Sequence, residues 1–223
     1  MDIVYQACNL LQRLTLRLSA DYEVTGKDNV PSTGPLLIVA NHQSNSDPSV
    51  IGVSVPRRTW FLAKHTLFRN YISSWFLTTY GAFPLDRSGG DIKAYRWLLN
   101  QLKNDKAVVV FPEGRRSNGT LQKASVGLVK FALKAQVPIL PVGITGTEKL
   151  GTILRVINPT GSIKVNIGNV FSMPYTGGPV NSERLEYFTN MIMYQIASLL
   201  PEQKRGIYAT KNDSWRGKTC AGS

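Results

Sequence analysis

Ala107-Val108-Val109-Val110-Phe111 is an unbroken apolar run rich in β-branched residues, and it ends abruptly in Pro112-Glu113-Gly114-Arg115-Arg116. A run of this kind marks a central strand covered on both faces, the environment of a parallel strand in an α/β sheet. Leu36 to Ala40 is a second short apolar run, and it opens into Asn41-His42-Gln43-Ser44-Asn45-Ser46-Asp47-Pro48. Asp followed by Pro is a helix start, so this segment reads as strand, polar loop and helix, with Asp47 at the N-cap and Pro48 at the first helical position. Further strands are predicted at Thr59 to Ala63, Val137 to Ile144 and Ile163 to Val170, with helices at Phe68 to Tyr80, Asp91 to Asn104, Val126 to Gln136 and Ser182 to Leu200. The alternation predicts an α/β fold, a mixed and partly parallel sheet flanked by helices. Both polar clusters then follow the carboxyl ends of apolar strands, where open α/β sheets place their sites.

Residues 2 to 18 repeat Ile3, Ala7, Leu10, Leu11, Leu14 and Leu18 at helical spacing, with Asp2, Gln6, Asn9, Arg13 and Arg17 on the other face. This predicts an N-terminal amphipathic helix, either packed on the core or lying in a membrane interface. Residues 26 to 35 carry turn chemistry. Residues 1 to 25 are expected to be an amphipathic membrane-associating helix, 26 to 208 the main domain and 209 to 223 a flexible tail.

With 223 residues, 43% of them apolar, the chain can bury a full core without disulfides or a metal. No apolar run approaches the roughly 20 residues of a membrane span. The start of the chain lacks the pattern of a secretory signal, and Cys8 and Cys220 are the only cysteines, which together predict a cytoplasmic protein. Residues 48 to 147 hold fourteen Lys and Arg against Asp86, Asp91, Asp105 and Glu113, so this segment carries +10 of the formal +12. Such a field calls for an anionic partner. The basic residues stand singly among apolar ones and no nucleic-acid-binding motif is present, so membrane lipid or phosphate chemistry is expected rather than nucleic acid.

His42 and Asp47 are five residues apart across a loop that becomes a helix. A carboxylate at that helix start can turn back to the imidazole, fix its tautomer and stabilise the imidazolium. Imidazole, with an unperturbed pKa of about 6.5, suits a general base near neutrality. With no Ser or Cys nucleophile placed beside the pair, the substrate has to supply one, and a hydroxyl is the natural candidate. The alternative is a plain helix cap with a surface histidine. A metal site is disfavoured, since His65 is the only other histidine. Glu113-Gly114-Arg115-Arg116 sets cations beside a glycine that lets a ligand approach the backbone, and arginine can grip phosphate bidentately. Asp86-Arg87, after Gly81 to Leu85, is a third charged cluster at a strand end.

Asn41 to Asp47 resembles the N-H-x-x-x-x-D block of the glycerolipid acyltransferases, and Phe111 to Ser117 resembles their F-P-E-G-x-R-S block. Gly81 to Arg87 is similar to their second block and Val137 to Val142 to their fourth. All four occur in order across about residues 35 to 145, and the closest resemblance is to the lysophosphatidic acid acyltransferase (PlsC-like) family. That resemblance implies phospholipid biosynthesis with His42 as general base and Asp47 orienting it. The free hydroxyl of 1-acylglycerol 3-phosphate would attack the thioester of acyl-CoA or acyl-carrier protein, giving phosphatidic acid without metal or organic cofactor. It implies Arg87, Glu113, Gly114 and Arg115 as the glycerol phosphate site, and Lys64 as a further family lysine. Many relatives carry a Lys where this chain has Ser125, and Lys123, two residues earlier, is the nearest substitute. The expected location is peripheral, on the inner face of the cell membrane. Other readings keep the chemistry on another lysophospholipid or glycerol 3-phosphate, or keep only the scaffold as a non-catalytic lipid-binding protein.

Overall fold

The computed structural model describes residues 2–86, 91–150, 159–175, 178 and 180–209. Seven strands form one sheet: β1 (Ala20–Thr25), β2 (Leu36–Ala40), β3 (Thr59–Lys64), β4 (Ala82–Leu85), β5 (Ala107–Val110), β6 (Ile139–Thr145) and β7 (Gly161–Ile167). Their spatial order is β1-β7-β6-β2-β5-β3-β4. The five strands from β6 to β4 run parallel, β7 is antiparallel to β6, and β1 runs parallel to β7. The sheet is therefore mixed and mostly parallel, and β2 and β5 are completely buried at its centre apart from Val110.

The pleat sends alternate residues to opposite sides and so divides the core in two. Leu36, Ile38 and Ala40 point to the face covered by α1 (Asp2–Ser19), α2 (Asp47–Ser54) and α3 (Tyr71–Tyr80). Leu37 and Val39 point to the face covered by α4 (Ile92–Lys103), α5 (Val126–Ala135) and α6 (Ser182–Ser198). Among the described residues no helix is long and apolar enough to cross a membrane.

Three features depart from the sequence expectations. Residues 20 to 25 are not part of a separate N-terminal segment, because β1 pairs along its full length with β7. The boundary expected at residue 25 therefore does not divide two bodies. Asp47 is not the N-cap: Ser46 holds that place, and Asp47 is the first helical residue, with its carboxylate turned back toward the loop.

The third concerns α1, which docks by its polar stripe. Tyr5, Asn9, Gln12 and Leu16 are buried, while Ile3, Leu10, Leu11, Leu14 and Leu18 face outward, with Ile3 80% and Leu18 84% exposed. Asn9, expected on the solvent face, donates to the Gly52 carbonyl and accepts from the Tyr80 hydroxyl at 2.7 Å. Gln12 donates to Ser49, and the Tyr5 oxygen accepts from the Thr59 amide. Hydrogen bonds to α2, α3 and β3 and the burial of Leu16 thus hold this helix down, and Leu10, Leu11, Leu14 and Leu18 are left exposed.

Gly143, in the middle of β6, lets the end of α6 lie directly on the sheet. A Cβ there would stand 2.8 Å from the Leu199 Cβ and 2.9 Å from the Leu199 carbonyl oxygen. Gly143→Ala is expected to lower stability by about 1–3 kcal/mol through forced displacement of this helix end, read as a shift in the urea unfolding midpoint with an unchanged slope.

Candidate active site

The strand pairing builds the site. Val39 of β2 lies opposite Val110 of β5, and the strands are parallel, so the loops leaving their carboxyl ends emerge side by side. The first loop carries His42 and the second Glu113, 71 residues later in sequence. Asn41 anchors the first loop to the neighbouring strand: its side chain donates to the Ile144 carbonyl and accepts the Ile144 amide, both at 2.8 Å.

His42 is held from three directions. Its Nδ1–H donates to Asp47 Oδ2 at 2.8 Å, which leaves Nε2 of the neutral ring free to accept a proton. Its backbone N–H donates to Glu113 Oε1 at 2.8 Å, and its carbonyl accepts from the Ser117 amide at 2.7 Å. The ring stacks on Phe111, with centroids 4.2 Å apart. Asp47 is fully buried, and the same Oδ2 also accepts the Gln43 and Ser44 amides at 2.6 and 2.8 Å. The carboxylate that orients the imidazole is therefore itself fixed by the turn that precedes its helix. The five-residue spacing serves this geometry, since one oxygen closes the turn and reaches the ring at once.

Glu113 is buried and spends both oxygens on backbone groups, Oε2 accepting the Gln122 amide at 2.8 Å. It ties the two loops and the segment before α5 together rather than lining the cavity. Burial pushes its carboxyl up to about 7, helped by the nearby Asp47 charge and opposed by the two backbone donors and Arg115.

A cavity of about 540 Å³ opens in front of His42 between α1, α3 and the ends of β3 and β5. Its walls are chiefly apolar, with Phe61, Leu62, Leu77, Val109 and Phe111 among them, while Lys64, Gly114 and Arg116 are also in the lining. Gly114 has φ of +66° and nothing within 4 Å of the position a Cβ would take, so the turn is left-handed and open above. Leu11 of α1 and Phe76 of α3 line the cavity and are also exposed, so its mouth lies in an apolar surface continued by Leu14, Leu18, Ile72 and Trp75.

Of the expected residues, His42, Gly114 and Lys64 line one cavity, with Asp47 bonded to the His42 ring and Glu113 to its backbone behind them. Arg115 is exposed and is not among the lining residues, whereas its neighbour Arg116 is. Lys123 is also exposed and away from the lining. Ser125, where the resemblance implied a lysine in the family, caps α5 by accepting the Gly127 amide. Arg87 lies outside the described residues. Asn41 and Ser117 hold the backbone around His42, and both stand inside the blocks that carry the resemblance, although nothing in the sequence marks them for that part. Among the described residues no group of three His, Cys, Asp or Glu could hold a metal ion.

The chain belongs to the Acyltransferase family, whose model matches residues 21–145. It is an enzyme of the O-acyltransferase type. It is 30% identical over 182 residues to the 1-acyl-sn-glycerol-3-phosphate acyltransferase of Streptococcus pneumoniae, a match covering 80% of this chain and 66% of that one. It is 25% identical to the Bacillus subtilis enzyme of the same name, covering 88% of this chain and 96% of that one. The crystal structure of the 1-acyl-sn-glycerophosphate (LPA) acyltransferase of Thermotoga maritima superposes with a TM-score of 0.68 at 27% identity, covering 87% of this chain and 79% of that one.

The Glu113 carboxyl gives a testable pH signature. Below about 4.5 folded and unfolded chains both hold its proton; between about 4.5 and about 7 only the folded chain does. Its contribution to stability therefore falls as pH rises through that window and is level above it. Glu113→Gln is expected to remove this slope from the unfolding midpoint plotted against pH. A constant loss of about 1–3 kcal/mol should accompany it, because the amide accepts only one of the two N–H groups.

Proposed function

We propose that this protein transfers a fatty acyl group from acyl-CoA or acyl-carrier protein to the free hydroxyl of 1-acylglycerol 3-phosphate, making phosphatidic acid. The observation that carries the reading is the His42–Asp47 pair at 2.8 Å, opening onto an apolar cavity with Arg116 and Lys64 in its lining. His42 Nε2 takes the hydroxyl proton as the oxygen attacks the thioester carbonyl, and Asp47 stabilises the imidazolium that results. The tetrahedral intermediate collapses, the carbon–sulfur bond breaks, and the imidazolium returns the proton to the leaving thiolate. Atoms and charge balance without an acyl-enzyme, a metal or an organic cofactor, since the thioester already carries the activation. The apolar wall suits an acyl chain, and Arg116 with Lys64 suits the phosphate. Arg116 takes the part expected of Arg115, because it is the arginine at the cavity.

The names of the relatives support lysophosphatidic acid as the acyl acceptor, and the cavity mouth supports access from a lipid surface. In this reading α1 and α3 lay their exposed apolar residues into the interface on the inner, cytoplasmic face of the cell membrane. Anionic lipid there attracts the basic chain, at about 1 kcal/mol per basic residue close to the surface.

Thiol release from acyl-CoA or acyl-carrier protein, with and without 1-acylglycerol 3-phosphate, tests the reaction. Release dependent on the acyl acceptor is expected in wild type, and His42→Ala should lower it by about 10²–10⁴-fold with the unfolding midpoint little changed. Release independent of the acceptor, or equal in the two proteins, would refute the mechanism. Arg116→Ala is expected to raise KM for 1-acylglycerol 3-phosphate by about 10–100-fold, the loss of one charged hydrogen-bonding contact. Arg115→Ala should leave that KM within about twofold, and steady-state kinetics on the two variants compares them directly.

A further inference from the structure

On the far flank of α1 from the active-site cavity lies a second concavity of about 260 Å³, lined by Arg13, Arg17, Tyr22, Lys27, Val53, Ser54 and Pro56. We infer that it binds the phosphate of an anionic membrane phospholipid, at a place distinct from the acyl acceptor's phosphate. The inference rests on the surface-docking part of the reading above.

Three cations from two parts of the chain line one small hollow, and no carboxylate lines it. Asp28, next to Lys27, is exposed and outside the lining, and the acids of β1 are turned away. Along β1 the burial alternates, so Tyr22 lies toward α1 and α2 while Asp21 and Glu23 lie on the exposed side. There Asp21 accepts from the Ser162 hydroxyl and Glu23 pairs with Lys164 at 2.9 Å. The floor is already satisfied. The Tyr22 hydroxyl bonds Ser54 Oγ at 2.7 Å, and Ser54 donates to the Val50 carbonyl at 2.6 Å. Burial pushes the Tyr22 phenol up, so the floor is neutral and adds no competing negative charge. Recognition at this place therefore falls to the cations, and the ligand they suit is an anion with several oxygens.

Its position on the helix selects the source of that anion. Leu10 and Leu14 stand three residues before Arg13 and Arg17, which makes each pair neighbours on the helix surface. Both leucines are exposed. The cationic hollow thus borders the outward leucine ridge directly, while Cys8, Leu11, Gln12 and Thr15 line the active-site cavity along the opposite flank. A phospholipid has the matching layout, with its phosphate beside the arginines and its chains beside the leucines.

The test is flotation of the full chain with phosphatidylcholine vesicles, with and without phosphatidylglycerol, and with no acyl donor or acceptor present. One variant carries Arg13→Gln, Arg17→Gln and Lys27→Gln. A control of equal charge carries Lys103→Gln, Lys130→Gln and Arg184→Gln, exposed positions on α4, α5 and α6 across the sheet. The first triple is expected to lose about tenfold or more of its affinity for the phosphatidylglycerol vesicles. The control should stay within about threefold of wild type, and binding to neutral vesicles should be unchanged in both. Equal losses in the two triples, or none in either, overturn the proposal in favour of diffuse charge. If inorganic phosphate raises the thermal midpoint of wild type but not of the first triple, while vesicle affinity is the same, the hollow is a free-phosphate site and the lipid assignment falls. Wild type that floats with neither vesicle refutes surface docking itself. None of these outcomes depends on catalysis, so each is separable from failure of the acyl-transfer reading.

Discussion

The parallel pairing of β2 with β5 is the constraint on which the site depends. Residues 71 positions apart in sequence meet because two buried strands with the same direction end at the same height. A polar loop at that edge would ordinarily be mobile. Here the loop is fastened to three partners: the Asn41 side chain to β6, the His42 N–H to Glu113, and the His42 carbonyl to Ser117. Hydrogen bonds of this kind are worth about 1 kcal/mol each, more when one partner is charged. Their joint effect is to hold one imidazole in one orientation, which a base in proton transfer requires. The second loop therefore contributes more than an arginine to the cavity lining, since its glutamate and serine hold the His42 backbone from behind.

The central strands and the helices between them were readable from the sequence because burial on both faces and helical periodicity leave strong patterns. β1 was not. Ala20, Tyr22 and Val24 do alternate with Asp21, Glu23 and Thr25, but the stretch is short and follows a helix with no turn residue between. Its partner β7 lies about 140 residues on, a pairing that no local pattern announces. The role of Asp47 was readable in outcome but not in geometry. The pairing with His42 was expected, but from a carboxylate at the N-cap, whereas it comes from the first helical residue with the turn closed on the same oxygen. The adjacent arginines are a different case. The F-P-E-G-x-R-S spacing laid on Phe111 to Ser117 does point to Arg116, the arginine in the cavity lining, whereas the expectation was placed on its neighbour Arg115.

α1 illustrates a wider point about amphipathic helices. Periodicity identifies two faces without saying which one meets the protein. The usual solution buries the apolar face; here Tyr5, Asn9 and Gln12 find hydrogen-bond partners on α2, α3 and β3, and the leucines are displayed. Hydrogen bonding at a buried, specific interface joins the burial of Tyr5 and Leu16 as the means of docking, and Ile3, Leu10, Leu11, Leu14 and Leu18 stay exposed.

Ser19 ends α1 and Ala20 begins β1, so no residue separates the helix from the sheet. With α1 also bonded to α2, α3 and β3, that joint has no swivel, and the helix and the strands that carry His42 form one body. On the proposed docking of α1 at a lipid surface, the helix itself would fix which way the cavity mouth faces, which a loose tether of the same composition would leave open.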